Sequence, residues 1–295
     1  MRYANHHMLT DPARPTAQLW RLALGLGIIV ALFFAMSYSY FNLLAELVTQ
    51  AEWPTLAQEI DAGSSPRGML ALLGIFGLIT LSLTLVLRTL HHRKLLSLIG
   101  PMGKAGRDFL RVTTAIIALS VLLLILPEPD GIAPGPGLPL LRWAALLPLA
   151  LPLIFIQVTA EELVFRGYIQ STLAARIRSP LVWMFLPAAL FGALHWDPQV
   201  MGDNAPVYVA TAFIFGLASA DLTARSGTLG PAVALHFAIN VSALLLTAPQ
   251  GNNFGLALHL YPFTLDDTAA RAIWLPYDLL QLLCAWLAAR LAIGS

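Results

Sequence analysis

Apolar and polar residues alternate along this chain in long blocks. Eight mostly apolar stretches stand out, at residues 19–47, 68–90, 109–126, 138–175, 181–196, 207–222, 228–246 and 272–293, with polar or Pro- and Gly-rich breaks between them. A helix needs about 20 apolar residues to cross the hydrocarbon core of a bilayer, and only a helix or a closed barrel satisfies its own backbone there. The pattern therefore predicts an all-α, polytopic membrane bundle of about eight transmembrane helices. Helix-breaking signals fall at block ends. Asp197-Pro198 closes the fifth block, Pro231 sits in the first turn of the seventh, and PEPDGIAPGPG after the third cannot be helical. The fourth block contains Pro139, Pro148 and Pro152, and Pro152 predicts a kink about two turns before Glu161.

Charge orients the bundle. Arg88, Arg93, Lys94, Lys104, Arg107 and Arg111 form the densest positive region, between the second and third blocks, which the positive-inside rule makes cytoplasmic. His91 and His92 are expected with them at headgroup level. Eight crossings then put both termini in the cytoplasm, while the loops bearing Glu52, Glu59 and Asp61, Pro127 to Gly137, and Asp266 and Asp267 lie outside.

Composition excludes other classes. The chain is 58% hydrophobic and 11% charged, against about 25% charged in soluble proteins. Residues 1–16 read as a cytoplasmic tail with His6 and His7 solvated, and 17–295 as a single membrane domain. The tail is too charged and too long to begin a secretory signal, so no cleavage is expected. A net charge of +1 without a long basic run argues against a nucleic-acid partner. Cys284 stands alone, so no intrachain disulfide can form. Arg outnumbers Lys fifteen to two, which points to a GC-rich bacterial genome and a bacterial cytoplasmic membrane. No internal repeat is evident, and the intramembrane polar residues all fall in the second half, which disfavours a carrier built from inverted repeats.

Against this background residues 157 to 170, QVTAEELVFRGYIQ, are anomalous. Charges inside a bilayer cost several kcal/mol and mark functional sites by default. On a helix Glu162 and Arg166 stand at i, i+4 with the acid N-terminal, the favourable order for a pair. Glu161 points about 100° away and lacks that partner. The alternative is a structural ion-pair cluster, but such a cluster needs one acid for one Arg, and here one is spare.

Two histidines also sit on apolar helices, His195 in FGALHW and His236 in ALHFAIN. Either one alone is more often a packing residue than a catalyst. Asn240 shares a face with His236 at i+4, and Phe191 can fix the ring of His195 from i−4. Glu161, His195, His236 and Asn240 from three helices make a set able to deprotonate water, stabilise an oxyanion and protonate a leaving amine. HExxH, GxSxG and GxGD signatures are missing, although Tyr277-Asp278 is present. Zinc held by Glu161, His195 and His236 remains chemically possible from ligand type alone.

Glu161-Glu162-x-x-x-Arg166, Phe191-x-x-x-His195 and His236-x-x-x-Asn240, in that order on successive apolar helices, resemble the CPBP (ABI) family of intramembrane proteases, which includes the CaaX prenyl endopeptidases and the bacteriocin-processing and self-immunity proteins. The resemblance covers about residues 140–246. It implies a glutamic-type endopeptidase that needs no metal or other cofactor and cleaves a membrane-associated peptide or protein substrate. Glu161 would activate water, His195 and His236 would line the site, and Asn240 would help form the oxyanion pocket, with Glu162, Arg166 and Phe191 in support. A non-enzymatic immunity or scaffold protein of the same fold is the alternative, and a transporter using Glu161 as a proton or cation site is a third class. One tension remains: His195 lies about 22 Å along its block from the cytoplasmic start and His236 only about 12 Å along its own. They meet only if the helices are tilted or staggered.

Overall fold

The computed structural model describes residues 3–123, 125 and 133–294. Residues 127–132 of PEPDGIAPGPG lie outside the described residues, as does most of the end of the third block. Each of the eight blocks is built on a helix, and the chain runs α1 Leu19–Glu46, α2 Trp53–Ala62, α3 Pro66–Thr89, α4 Met102–Leu123, α5 Leu140–Arg176, α6 Pro180–Ala193, α7 Ala205–Ser226, α8 Gly230–Leu246 and α9 Thr268–Ala292. By length and composition α1, α3, α5, α9, and α7 taken with the turn Pro198–Met201 before it, can each cross a membrane, while α6 and α8 are shorter apolar helices. This is a polytopic helical bundle and an integral membrane protein. One end of the bundle gathers the cations of the α3–α4 and α5–α6 connections, and the opposite end the acids of the α1–α3 and α8–α9 connections.

Sequence and structure part in five places. The helix α5 runs through Pro148 and Pro152 without a break, and its irregularity comes later, as a π-helical stretch over Leu163–Gln170 in which all eight residues are buried. A second π turn, Ser242–Leu246, ends α8. Wide turns of this kind relieve packing conflicts and recur at functional sites. The α8–α9 connection is not plain loop. Gly135–Pro136 (β1), Thr247–Gln250 (β2) and His259–Thr264 (β3) form a small sheet in the order β1-β3-β2, with β1 antiparallel and β2 parallel to β3. Its Tyr261 and Phe263 stack on each other and against Trp274. Aromatic and β-branched residues fit a half-buried strand, which the polar loop reading overlooked.

The amino-terminal segment is docked on the bundle. Tyr3 donates to Asp221, Asn5 to the Arg225 carbonyl, and His6 is buried with its ring against Trp183. His7 is exposed as expected, but His6 is not. Asp221 and Arg225 form the i, i+4 pair that their spacing predicts, and Asp221 also accepts from Trp286. His91 leaves the headgroup cluster to lie buried between Thr16 and Tyr168, at 3.1 and 2.8 Å, while His92 stays exposed with a positive φ of 52°. Tyr3, Asn5, His6 and His91 each find a partner on a helix distant in sequence.

Small residues let the central helices approach. The helix α6 lies along α7, and a Cβ on Gly216 would come within 2.9 Å of Ala188. A Cβ on Gly192 would meet the Val209 carbonyl at 2.8 Å. Leu163, Phe191, Phe215, Leu222, Val233 and Leu235 form the core where α5, α6, α7 and α8 meet.

Gly216→Ala is expected to lower the unfolding midpoint in detergent, with a loss of about 1–3 kcal/mol from overpacking. Gly27→Ala should not, because a Cβ there meets nothing within 4 Å. Burial, reinforced at His91 by the Arg93 cation, pushes His6 and His91 down to about 4. Both are then neutral in the folded chain at pH values where the unfolded chain would take up protons. Their contribution to stability is full above pH 6.5 and is lost as pH falls toward 4. A melting series over that window should fall steadily, and His6→Gln with His91→Gln should flatten it.

Candidate active site

The helix α5 carries the acidic residues in two registers. Gln157 and Glu161 share one face, and Glu162 and Arg166 the next, each pair four residues apart. Glu162 is fully buried, and its Oε1 accepts from Arg166 Nη1 at 3.1 Å and from His236 Nδ1 at 2.9 Å. Arg166, also buried, donates its Nη2 to the Gly216 carbonyl at 3.2 Å. Its guanidinium lies 4.8 Å from the Phe191 ring, 5.7 Å from Phe215 and 5.8 Å from Phe165. Three aromatic faces, a carboxylate and a carbonyl thus stand in for the water that this cation has lost.

His236 joins the two registers. While Nδ1 meets Glu162, its Nε2 lies 3.4 Å from Glu161 Oε2. The ring is held edge-on by Phe215 at 4.7 Å and Phe191 at 5.9 Å. With Glu162 ionised and Nδ1 protonated toward it, a neutral His236 presents Nε2 as an acceptor to Glu161. The contact between Glu161 and His236 is then a hydrogen bond whenever one proton lies between them. Such a couple can take a proton from water and give it back. Glu161 keeps 17% of its side-chain surface open, whereas Glu162 keeps none. The two acids therefore differ in access as well as in partners.

Asn240 approaches from α8 and donates Nδ2 to Gln157 Oε1 at 2.8 Å, and Gln157 Nε2 donates to Glu161 Oε1 at 3.1 Å. His195 lies apart from this network. Just past the end of α6, its Nδ1 contacts the Phe191 carbonyl at 2.8 Å and its ring lies 4.7 Å from Phe191. Phe191 is what connects it to His236. The structure thus brings Glu161, Glu162, Arg166, His236 and Asn240 together and leaves His195 one ring away. Among the described residues no group of three or more His, Cys, Asp or Glu side chains is arranged to hold a metal ion.

His195 and His236 come to one level at Phe191, whose ring lies 4.7 Å from the first and 5.9 Å from the second, and the helices of Glu161 and His236 are staggered as well. Glu161 lies about 22 Å along α5 from Arg176, and His236 about 9 Å along α8 from Gly230. Because they meet, the last turns of α5 stand beyond the start of α8 at the basic end. Leu98 and the amino-terminal segment cover them there, with a Cβ on Gly167 only 2.9 Å from Leu98. Sequence reasoning assigned no part to Gln157, Phe215 or Gly216. The first was visible as a polar residue one turn before Glu161. The other two carry no signal in an apolar helix.

Residues 143–242, which carry the whole network, match the family described as Type II CAAX prenyl endopeptidase Rce1-like. The match is consistent with the CPBP resemblance: over these residues the chain is similar to a family described as endopeptidases of the CAAX type. The chain is also similar to the uncharacterized protein YyaK of Bacillus subtilis (strain 168), 24% identical over 262 residues and covering 86% of each chain. No solved structure matches it.

Removing either member of the buried ion pair strands the other. Glu162→Gln or Arg166→Ala should each cost about 3 to 5 kcal/mol. Thermal unfolding of purified protein would register this as a lowered midpoint and reduced yield.

Proposed function

We propose that this chain is an intramembrane endopeptidase that hydrolyses a peptide bond of a membrane-associated protein or peptide, with Glu161 activating the water. The observation that supports this most is the position of Glu161 Oε2, 3.4 Å from a His236 whose other ring nitrogen is already held by buried Glu162. In this reading Glu161 takes a proton as water attacks the scissile carbonyl. His236, oriented by Glu162 and the two phenylalanines, shares that proton and returns it to the leaving amine as the C–N bond breaks. Asn240 spends one amide hydrogen on Gln157 and keeps the other for the oxyanion. Glu162 and Arg166 hold His236 in place, and His195 borders the site through Phe191.

The basic end faces the cytoplasm of a bacterial cell, by the positive-inside rule, and both termini lie there. In this reading the site lies in the cytoplasmic half of the bilayer, which is supported by His236 standing about 9 Å along α8 from its basic end. Its substrate is a membrane-anchored chain that presents an extended segment at that level.

Glu161→Gln should fold like the wild type and lose at least about a hundredfold of the rate, within the range for a lost general base. The measurement compares new protein termini in membranes from cells carrying wild-type or Glu161→Gln protein. Termini that appear with both, or with neither, would leave an immunity or scaffold role as the better account. Activity is also expected without bound metal. About one zinc per chain, with chelation abolishing activity and zinc restoring it, would overturn that part.

A further inference from the structure

We infer that Gln157 is the positioning residue of this site: it selects which oxygen of Glu161 acts as the base and fixes the orientation of the Asn240 amide. The inference deepens the endopeptidase reading and rests on it. Gln157 is buried, 8% exposed, on an apolar helix where an amide must find partners for both of its ends. It finds one on its own helix and one on α8, at 3.1 Å to Glu161 Oε1 and 2.8 Å from Asn240 Nδ2. Only one orientation serves an ionised Glu161. The carboxylate accepts and cannot donate, so the Gln157 NH2 must face it and the Gln157 carbonyl must face α8. That carbonyl in turn obliges Asn240 to present its NH2 and not its own oxygen.

Two consequences for the chemistry follow. Glu161 Oε1 already accepts from Gln157, so Oε2, the oxygen beside His236 Nε2, is the one left to take the proton from water. On Asn240, one N–H is bound to Gln157, so the second is held by the same planar amide in a fixed direction, as an oxyanion donor must be. Without Gln157 the Glu161 carboxylate can rotate, and Asn240 can flip and point its oxygen where negative charge develops. Both faults act on the chemical step. Gln157 touches no reacting atom in this account and works through the two residues it holds.

The test uses full-length protein in detergent or lipid nanodiscs and a quenched-fluorescent peptide built on a cleavage site identified by the termini comparison. Gln157→Met keeps length and bulk without the amide. It should lower kcat by about tenfold to a hundredfold, the scale for small misplacements of catalytic groups, with KM within about twofold. Because part of its effect passes through Asn240 and part through Glu161, Gln157→Met should slow Asn240→Leu by less than it slows the wild type. If Gln157→Met does not fold, Gln157→Asn, which keeps the amide but shortens its reach, should show the same loss confined to kcat. A wild type that cleaves the peptide while every folded Gln157 variant stays within about twofold of it would overturn the positioning role alone. Losses that simply multiply in the double variant would overturn the bridge to Asn240. Wild type that cleaves nothing, or Glu161→Gln cleaving as fast as wild type, would overturn the endopeptidase reading itself, and this inference with it.

Discussion

A single buried carboxylate oxygen, Glu162 Oε1, is the point on which the centre of this bundle depends. It accepts from Arg166 on the same helix and from His236 on α8, with neither Glu162 nor Arg166 reachable by water. A lone charge in such a place costs about 3–5 kcal/mol, a large share of a domain's stability, so Glu162 and Arg166 each depend on the presence of the other. Arg166 extends the constraint to α7 through the Gly216 carbonyl and to α6 through the Phe191 ring. Four helices are in this way tied to one another around two opposite charges. The same tie holds His236 with one nitrogen occupied and the other facing Glu161.

Local geometry yields to this arrangement. Between Glu162 and Ser171 the helix widens into π form, and the next site helix does so at its own end after Val241. The small residues at the α6–α7 contact serve a related purpose. Gly216 lets Ala188 approach and at the same time presents the carbonyl that Arg166 needs. A larger side chain there would push the helices apart and withdraw an acceptor from a buried cation. Packing and electrostatics are therefore one problem at this site.

The acidic pair shows how differently two neighbouring like residues can be placed. Glu161 and Glu162 are neighbours in the chain, yet one keeps an opening to the outside and a hydrogen-bonding amide, while the other is sealed between a guanidinium and an imidazole. In the proposed reading the first kind activates water and the second keeps the site rigid. The family match over residues 143–242 falls on the segment in which this division occurs. Outside it, the docked amino-terminal segment, α1 and the α3–α4 connection brace the overhanging end of α5 through contacts such as that of His91 with Tyr168.

What the sequence determined by itself is what depends on local pattern: apolar blocks of bilayer length, their breaks, the charge asymmetry of the loops, and the i, i+4 spacing that pairs Glu162 with Arg166 and Asp221 with Arg225. These follow from helix geometry and from the cost of exposing a backbone to lipid, and neither needs a knowledge of neighbours. The three motifs that carried the resemblance were likewise legible as strings. Tertiary structure alone decided where those strings meet. It gave Glu162 a second partner in His236, joined Asn240 to Glu161 through Gln157, left His195 behind Phe191, buried His6 and His91, and turned part of a loop into strands. The reason is physical: a polar group in a dry interior takes whichever partner the packing of distant helices delivers, and an apolar sequence carries almost no record of which helices those are.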